Sequence, residues 1–308
     1  MEKNRNNILK KASIISIAGN AVLAFAKIIT GIISGSLSVL GDGLDSLTDV
    51  FISIITLITS IIISKPPDKE HPFGHYRAET IATSILAFIM LFIGGQLVLS
   101  TIEKIMNHSD FQMPGMIAVY VTIFSIVSKL LLSWSQFYFG KKAGSSMLIA
   151  NGKNMLNDVI TSSGVLIGLA CVFYFNLPII DKIIAIIIGL WIVISAIRIY
   201  WSTINEMMEG DADKELYKKI FETVKTIEGT GNPHRVRIKK IGALYSIEMD
   251  IEVDGNMSVE KAHELTLLME DKIHSALDNI YDIVIHTEPL GNFEKEECYG
   301  LNEQNMHS

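Results

Sequence analysis

The sequence predicts an α-helical membrane protein, six transmembrane helices followed by a small cytoplasmic α+β domain. Three observations lead there. The 308 residues are 49% hydrophobic and only 19% charged, which is too apolar for an ordinary soluble domain of this length. Apolar stretches of helix length recur six times before residue 203, and after residue 202 the pattern turns soluble.

The apolar stretches lie near residues 13–33, 38–63, 79–102, 116–138, 146–175 and 182–202. Each is long enough to cross a hydrocarbon core of ~30 Å as a helix. GKKAGS, residues 140–145, separates the fourth from the fifth, and FNLPIID turns the fifth into the sixth through Asn176 and Pro178. Six spans place both termini on one side. Lys3, Arg5, Lys10, Lys11, Lys65, Lys69, Arg77, Lys141 and Lys142 fall on that side, whereas the opposite loops hold little more than Lys104 and Lys182. The positive-inside rule then makes the N-terminus, the loops 64–77 and 139–145 and everything after Tyr200 cytoplasmic, in a multi-pass protein of the cell membrane. MEKNRNNILKKA is polar and basic, so residues 1–12 are expected to form a cytoplasmic tail rather than a cleavable signal.

The membrane part is expected to cover residues 13–205, the soluble domain 206–291 and a mobile tail 292–308. ELYKKIFETVKTI reads as an amphipathic helix, HRVRIKKIG and LYSIEMDIEV as strands, SVEKAHELTLLMEDKIHSAL as a second helix and IYDIVIHTEPL as a third strand. Ser258 is placed to cap the second helix, with Glu260 in its first turn, although Lys261 stands where a full capping box wants Glu or Gln. Cys171 and Cys298 alone support neither a disulfide framework nor a cysteine metal site. A formal net charge of −7 argues against nucleic acid as a partner.

The polar residues inside the spans carry the chemistry. GDGLDSLTDV sets Asp42, Asp45 and Asp49 in the second span, with Asp45 and Asp49 one helical turn apart on one face. An Asp at mid-bilayer depth costs roughly 2.5 to 3.5 kcal/mol, so such residues need a partner, a proton or a cation. In the fifth span Asn154 and Asp158 repeat the spacing. Two helices each offering two oxygen ligands can close a four-ligand cage around a divalent cation, or can pack as hydrogen-bonding glue, the role expected for Asn151 and Asn157. Lys27 and Lys129 are expected to snorkel toward an interface or bond loop carbonyls, because a cation beside the cage would oppose metal binding. In SKPPDKEHPFGHYRAET, Asp68, His71 and His75 have spacings of three and four, ligand geometry for a borderline cation if the loop is tightly turned.

SLSVLGDGLDSLTDV, PPDKEHPFGHYRAE, the N-x-x-x-D followed by SSGVLIGL, and AHEL with IHTEP together resemble the cation diffusion facilitators over about residues 10–290. The resemblance implies proton-coupled export of divalent metal from the cytoplasm by a homodimer with metallochaperone-like soluble domains. Carried over by position, its transport site is Asp45, Asp49, Asn154 and Asp158, and its loop site is Asp68, His71 and His75. Its soluble-domain metal positions fall on His234, Asp250, His263, His286 and Glu288, with Asp250 where some zinc-binding members have His. Zinc carriers usually have His in place of Asn154, and an all-oxygen set suits a harder ion, so manganese is the expected substrate and zinc the second. A charge interlock of the resembling transporters would pair Arg77 with Glu209 or Asp211.

The expected partners are therefore divalent metal ions, protons and the lipid bilayer, with no resident cofactor. Protons arriving from outside would discharge Asp45, Asp49 or Asp158 and release the ion, as the second and fifth helices alternate between openings. Two alternatives stay open, an exporter with broad zinc, iron, cadmium or cobalt selectivity and a channel without proton coupling. An intramembrane metalloenzyme is disfavoured, because no H-E-x-x-H occurs.

Overall fold

The computed structural model describes residues 2–107, 113–143, 145–210, 214–242, 244–291 and 300–301. Six long helices come first: α1 (Glu2–Ser34), α2 (Leu37–Ile63), α3 (Ala78–Met106), α4 (Ile117–Ala143), α5 (Ser146–Phe175) and α6 (Ile179–Met207). All six contain a stretch long and apolar enough to cross a membrane, as the hydrophobic pattern requires. The expected tail is helical from Glu2 and runs without a break into the apolar stretch Lys11–Ser34 of α1. No proline interrupts residues 2–34, and the helix ends only where Gly35 takes φ +68°, the left-handed stop that favours glycine.

Inside the bundle, polar stripes lie beside an apolar cluster that includes Val39, Leu86, Val165, Leu169 and Ile192, and the outer surface is apolar. Val22, Ile33, Phe92, Trp134 and Ile160 are exposed, as side chains solvated by lipid should be. Facing inward, Thr122, Ser125, Lys129 and Ser133 form a buried stripe along α4 at spacings of three and four, and Ser16, Asn20, Lys27 and Thr30 line α1. Glycines let the backbones come close enough to bring such stripes together. A Cβ on Gly43 of α2 would lie 2.8 Å from the Ile28 amide and 3.0 Å from Lys27 Cβ, so only glycine lets α2 lie flush against α1 at the level of Lys27. The entrance of α2 is held by Asp181 at the start of α6. Its carboxylate accepts from Leu37 N–H and Ser36 Oγ, both at 2.7 Å, satisfying donors that a helix start leaves open.

A second compact unit joins residues 62–81 to the chain from residue 201 onward, so the loop between α2 and α3 belongs with the soluble part, and the unit begins slightly before the expected residue 206. It adds α7 (Lys214–Val224), β1 (Gly231–Ile241), β2 (Leu244–Val253), α8 (Val259–Ala276) and β3 (Ile280–Pro289). The sheet runs β1-β2-β3; β1 and β2 pair antiparallel, and β2 and β3 pair parallel with α8 as the crossover. Phe221, Val224, Ile247, Ile251, Met269 and Ile273 meet in its core. Ser258 caps α8 by accepting from Lys261 N–H at 3.3 Å. Most of the expected mobile tail lies outside the described residues, but Leu301 exchanges two backbone hydrogen bonds with Val236 and so extends the free edge of β1.

Candidate metal transport site

Two lysines organise the acidic face of α2. Lys27 and Asp42 are 0% and 2% exposed, with Nζ to Oδ2 at 2.8 Å. Lys27 also donates to Ser46 Oγ at 3.2 Å and to Ser162 Oγ at 2.9 Å, while the Ser162 hydroxyl points to Asp42 at 3.0 Å. All three ammonium protons are thus used, and α1, α2 and α5 are tied by one polar knot. Farther along, Lys129 of α4, also 0% exposed, places Nζ 2.5 Å from Asp158 Oδ2 on α5 and 3.7 Å from Asp49 Oδ2 on α2. Asp45 lies between the two lysine centres on α2 and within electrostatic reach of Asp42, Asp158, Lys27 and Lys129.

The expectation that Lys27 and Lys129 snorkel is therefore wrong. Both sit on inward polar faces, where fixed carboxylates replace the water that an interface would offer. The i, i+3, i+4 run of Thr122, Ser125, Lys129 and Ser133 is the sequence signal that marks Lys129 as inward. With all six groups ionised, four carboxylates (Asp42, Asp45, Asp49, Asp158) against two ammoniums leave a formal −2, the charge a divalent cation neutralises. Asn154 lies one turn before Asp158 on α5 and is exposed, outside this hydrogen-bonded network. Asn151 does act as glue, donating to Ser16 Oγ at 3.0 Å, whereas the Asn157 side chain is exposed and makes no hydrogen bond among the described residues.

In the loop after α2, Asp68 folds a tight turn by accepting from the amides of His71 at 2.7 Å and Glu70 at 2.9 Å. The His71 amide above all, together with that of Glu70, holds the Asp68 carboxyl below the usual carboxylate range. The turn brings His71 Nδ1 to 3.4 Å and His75 Nε2 to 3.5 Å from Asp68, so one carboxylate and two imidazoles converge within 4.8 Å of one another. That set could hold a divalent ion at the protein surface.

The soluble domain builds a third cluster. Successive irregularities in β1, with Asn232 at φ +40° and Arg235 at φ +49°, turn His234 inward opposite Asp250 of β2, which in turn pairs with His286 of β3. His234, Asp250 and Glu288 are buried with ligand atoms within 4.8 Å. His234 Nδ1 lies 2.7 Å from the Asn232 carbonyl, which can only accept, and Nε2 lies 3.5 Å from Glu288 Oε2. His286 also reaches Glu288 at 3.5 Å but is largely exposed, and Arg235 stands 2.8 Å from Asp250. His263 is exposed on α8 and is not part of the cluster. Arg77 pairs with Glu209 at 2.8 Å, as the interlock requires; Asp211 lies outside the described residues. Both side chains of that pair are half exposed, so it contributes only about 0–1 kcal/mol.

Six spans around an inward-facing, partly buried and net-acidic centre, with an α+β domain following, are the parts of a multi-pass membrane transporter of cations. The cation efflux transmembrane domain matches residues 13–208, and the cation efflux protein cytoplasmic domain matches residues 212–290. An uncharacterised transporter of Methanocaldococcus jannaschii is 30% identical over 91% of this chain and 98% of its own. The manganese efflux system protein MneS of Bacillus subtilis is 31% identical over 93% of this chain and 98% of its own. The cation-efflux pump FieF of Salmonella typhi is 25% identical over 96% and 98%. The chain belongs to the cation efflux family, the cation diffusion facilitators, and is a divalent cation efflux transporter rather than an enzyme.

Proposed function

We propose that this transporter moves manganese out of the cytoplasm in exchange for protons, through a site formed by Asp45, Asp49, Asn154 and Asp158. The observation that carries the reading is the meeting of Asp49 and Asp158, from α2 and α5, around one cation, the Lys129 ammonium. A cation already occupies the carboxylates there, so the site has the electrostatics a metal ion needs. Asn154 adds a neutral carbonyl oxygen one turn from Asp158, and the resulting all-oxygen set suits manganese better than zinc. Two relatives named as manganese efflux proteins, MneS and MneP of Bacillus subtilis, at 31% and 24% identity, support the same ion.

Metal binding requires deprotonated carboxylates, and protons entering from the far side displace the ion from the same oxygens, which couples the two gradients. The charge pattern of the loops sets the termini and the soluble domain in the cytoplasm. Two chains associate through their cytoplasmic domains. The Asp68, His71 and His75 turn and the His234, Asp250 and Glu288 cluster, flanked by His286, tune this activity from the cytoplasmic side.

Asn154→His tests the choice of ion. Imidazole is softer than a carbonyl and titrates near pH ~6.5, so the variant is expected to raise the zinc-to-manganese transport ratio by about tenfold at fixed pH. Vesicles given both ions together measure that ratio directly. An unchanged ratio, with transport intact, would contradict the role given to Asn154.

A further inference from the structure

We propose that Lys129 is a tethered cation that holds the carboxylates of Asp158 and Asp49 in the metal-free carrier and is displaced from them when a divalent ion binds. It thereby weakens the site and speeds release of the ion. This rests on the assignment of Asp49 and Asp158 as transport ligands.

The two buried lysines differ in what holds them. Lys27 divides its donors among Asp42, Ser46 and Ser162, and Asp42 is not one of the proposed ligands, so metal binding leaves that knot intact. Lys129 is held by Asp158 at 2.5 Å and Asp49 at 3.7 Å, and among the described residues it has no other polar partner. Both of its partners are the oxygens a metal would claim. An ion entering the cage must therefore compete with an ammonium that cannot diffuse away, and when the ion leaves, the same ammonium closes over the carboxylates it exposed.

The displaced ammonium also has a place to go. Ser125 lies one turn before Lys129 on the same buried face of α4, and its Oγ has no hydrogen-bond partner among the described residues. Lysine side chains on a helix lean toward the N-terminus, which is the direction of Ser125. The charge count agrees. Without Lys129 the three acids Asp45, Asp49 and Asp158 face a divalent ion with one uncompensated negative charge more than the native site has.

The test is manganese binding by titration calorimetry to the purified full chain, with export measured in vesicles. Lys129→Gln removes the competitor and is expected to bind manganese about tenfold tighter, equivalent to ~1.4 kcal/mol, while turning over more slowly at saturating metal. Lys129→Arg keeps the charge in a fork that grips carboxylates at two points and is expected to bind manganese more weakly than the native chain. A merely structural role would move both variants in the same direction. Binding that is unchanged or weaker in Lys129→Gln would overturn the proposal. If that variant does not fold, unchanged or tighter binding in Lys129→Arg overturns it equally. Asp158→Asn in the same assay separates the two readings: if it leaves manganese binding intact, the ligand assignment itself fails, and the role of Lys129 fails with it.

Discussion

Asp158→Ala, and separately Asp49→Ala, should abolish metal export while the protein remains folded in the membrane. Each removes a charged oxygen from a site with few ligands, and each takes one of the two carboxylates from Lys129. Loss of even an outer-shell partner typically costs 10–100-fold in metal affinity or activity, so loss of a ligand is expected to cost about 100-fold or more. The fold should survive because each single variant leaves Lys129 one carboxylate partner and the Lys27, Asp42 and Ser162 knot is untouched. The measurement is initial export rate in vesicles at matched protein content. Near-native rates for either variant would show that the ion travels elsewhere.

The second large effect concerns stability. Lys27→Met leaves Asp42 buried, with Ser162 still bonded to it but its counter-ion gone. Breaking one side of a buried ion pair costs about 3–5 kcal/mol, whereas removing both charges together is far better tolerated. Lys27→Met should therefore lower the melting temperature sharply, and the double variant with Asp42→Asn should recover most of the loss. A strictly additive double variant would contradict the coupling between these residues. Gly43 makes the same contact possible from the other direction, by admitting α1 to within van der Waals distance of α2.

The membrane fold could be read from the sequence because lipid leaves so little choice. A helix that spans it must be apolar for its full length, and six such stretches stand out. Asp45, Asp49 and Asp158 were legible for the complementary reason, that a carboxylate in an apolar run needs a partner. Which partner could not be read. Lys129 is 29 residues from Asp158 and comes from another helix, and local spacing carries no record of which helices become neighbours. A cation beside the cage does oppose metal binding, but in the empty site the Lys129 ammonium also offsets the cost of leaving Asp158 and Asp49 unpaired. In the soluble domain, alternation located all three strands, but not the parallel pairing of β2 with β3, which depends on α8 crossing over. It also could not show that the irregular start of β1 would turn His234 inward or that His263 would stay at the surface. Nothing in residues 2–12 breaks a helix, and α1 accordingly begins at Glu2 even though that stretch is polar.

On the proposed function, manganese leaves through the Asp45, Asp49, Asn154 and Asp158 site in exchange for protons. Inside-out vesicles with an acidic lumen and a trapped pH dye test it most directly, comparing the native chain with Asp158→Asn. Manganese uptake by the native chain should be driven by the proton gradient, should alkalinise the lumen and should fall sharply when a protonophore collapses the gradient; Asp158→Asn should do none of these. Equal uptake with and without the gradient, and no change in lumen pH, would mean a cation path without proton exchange and would contradict the account.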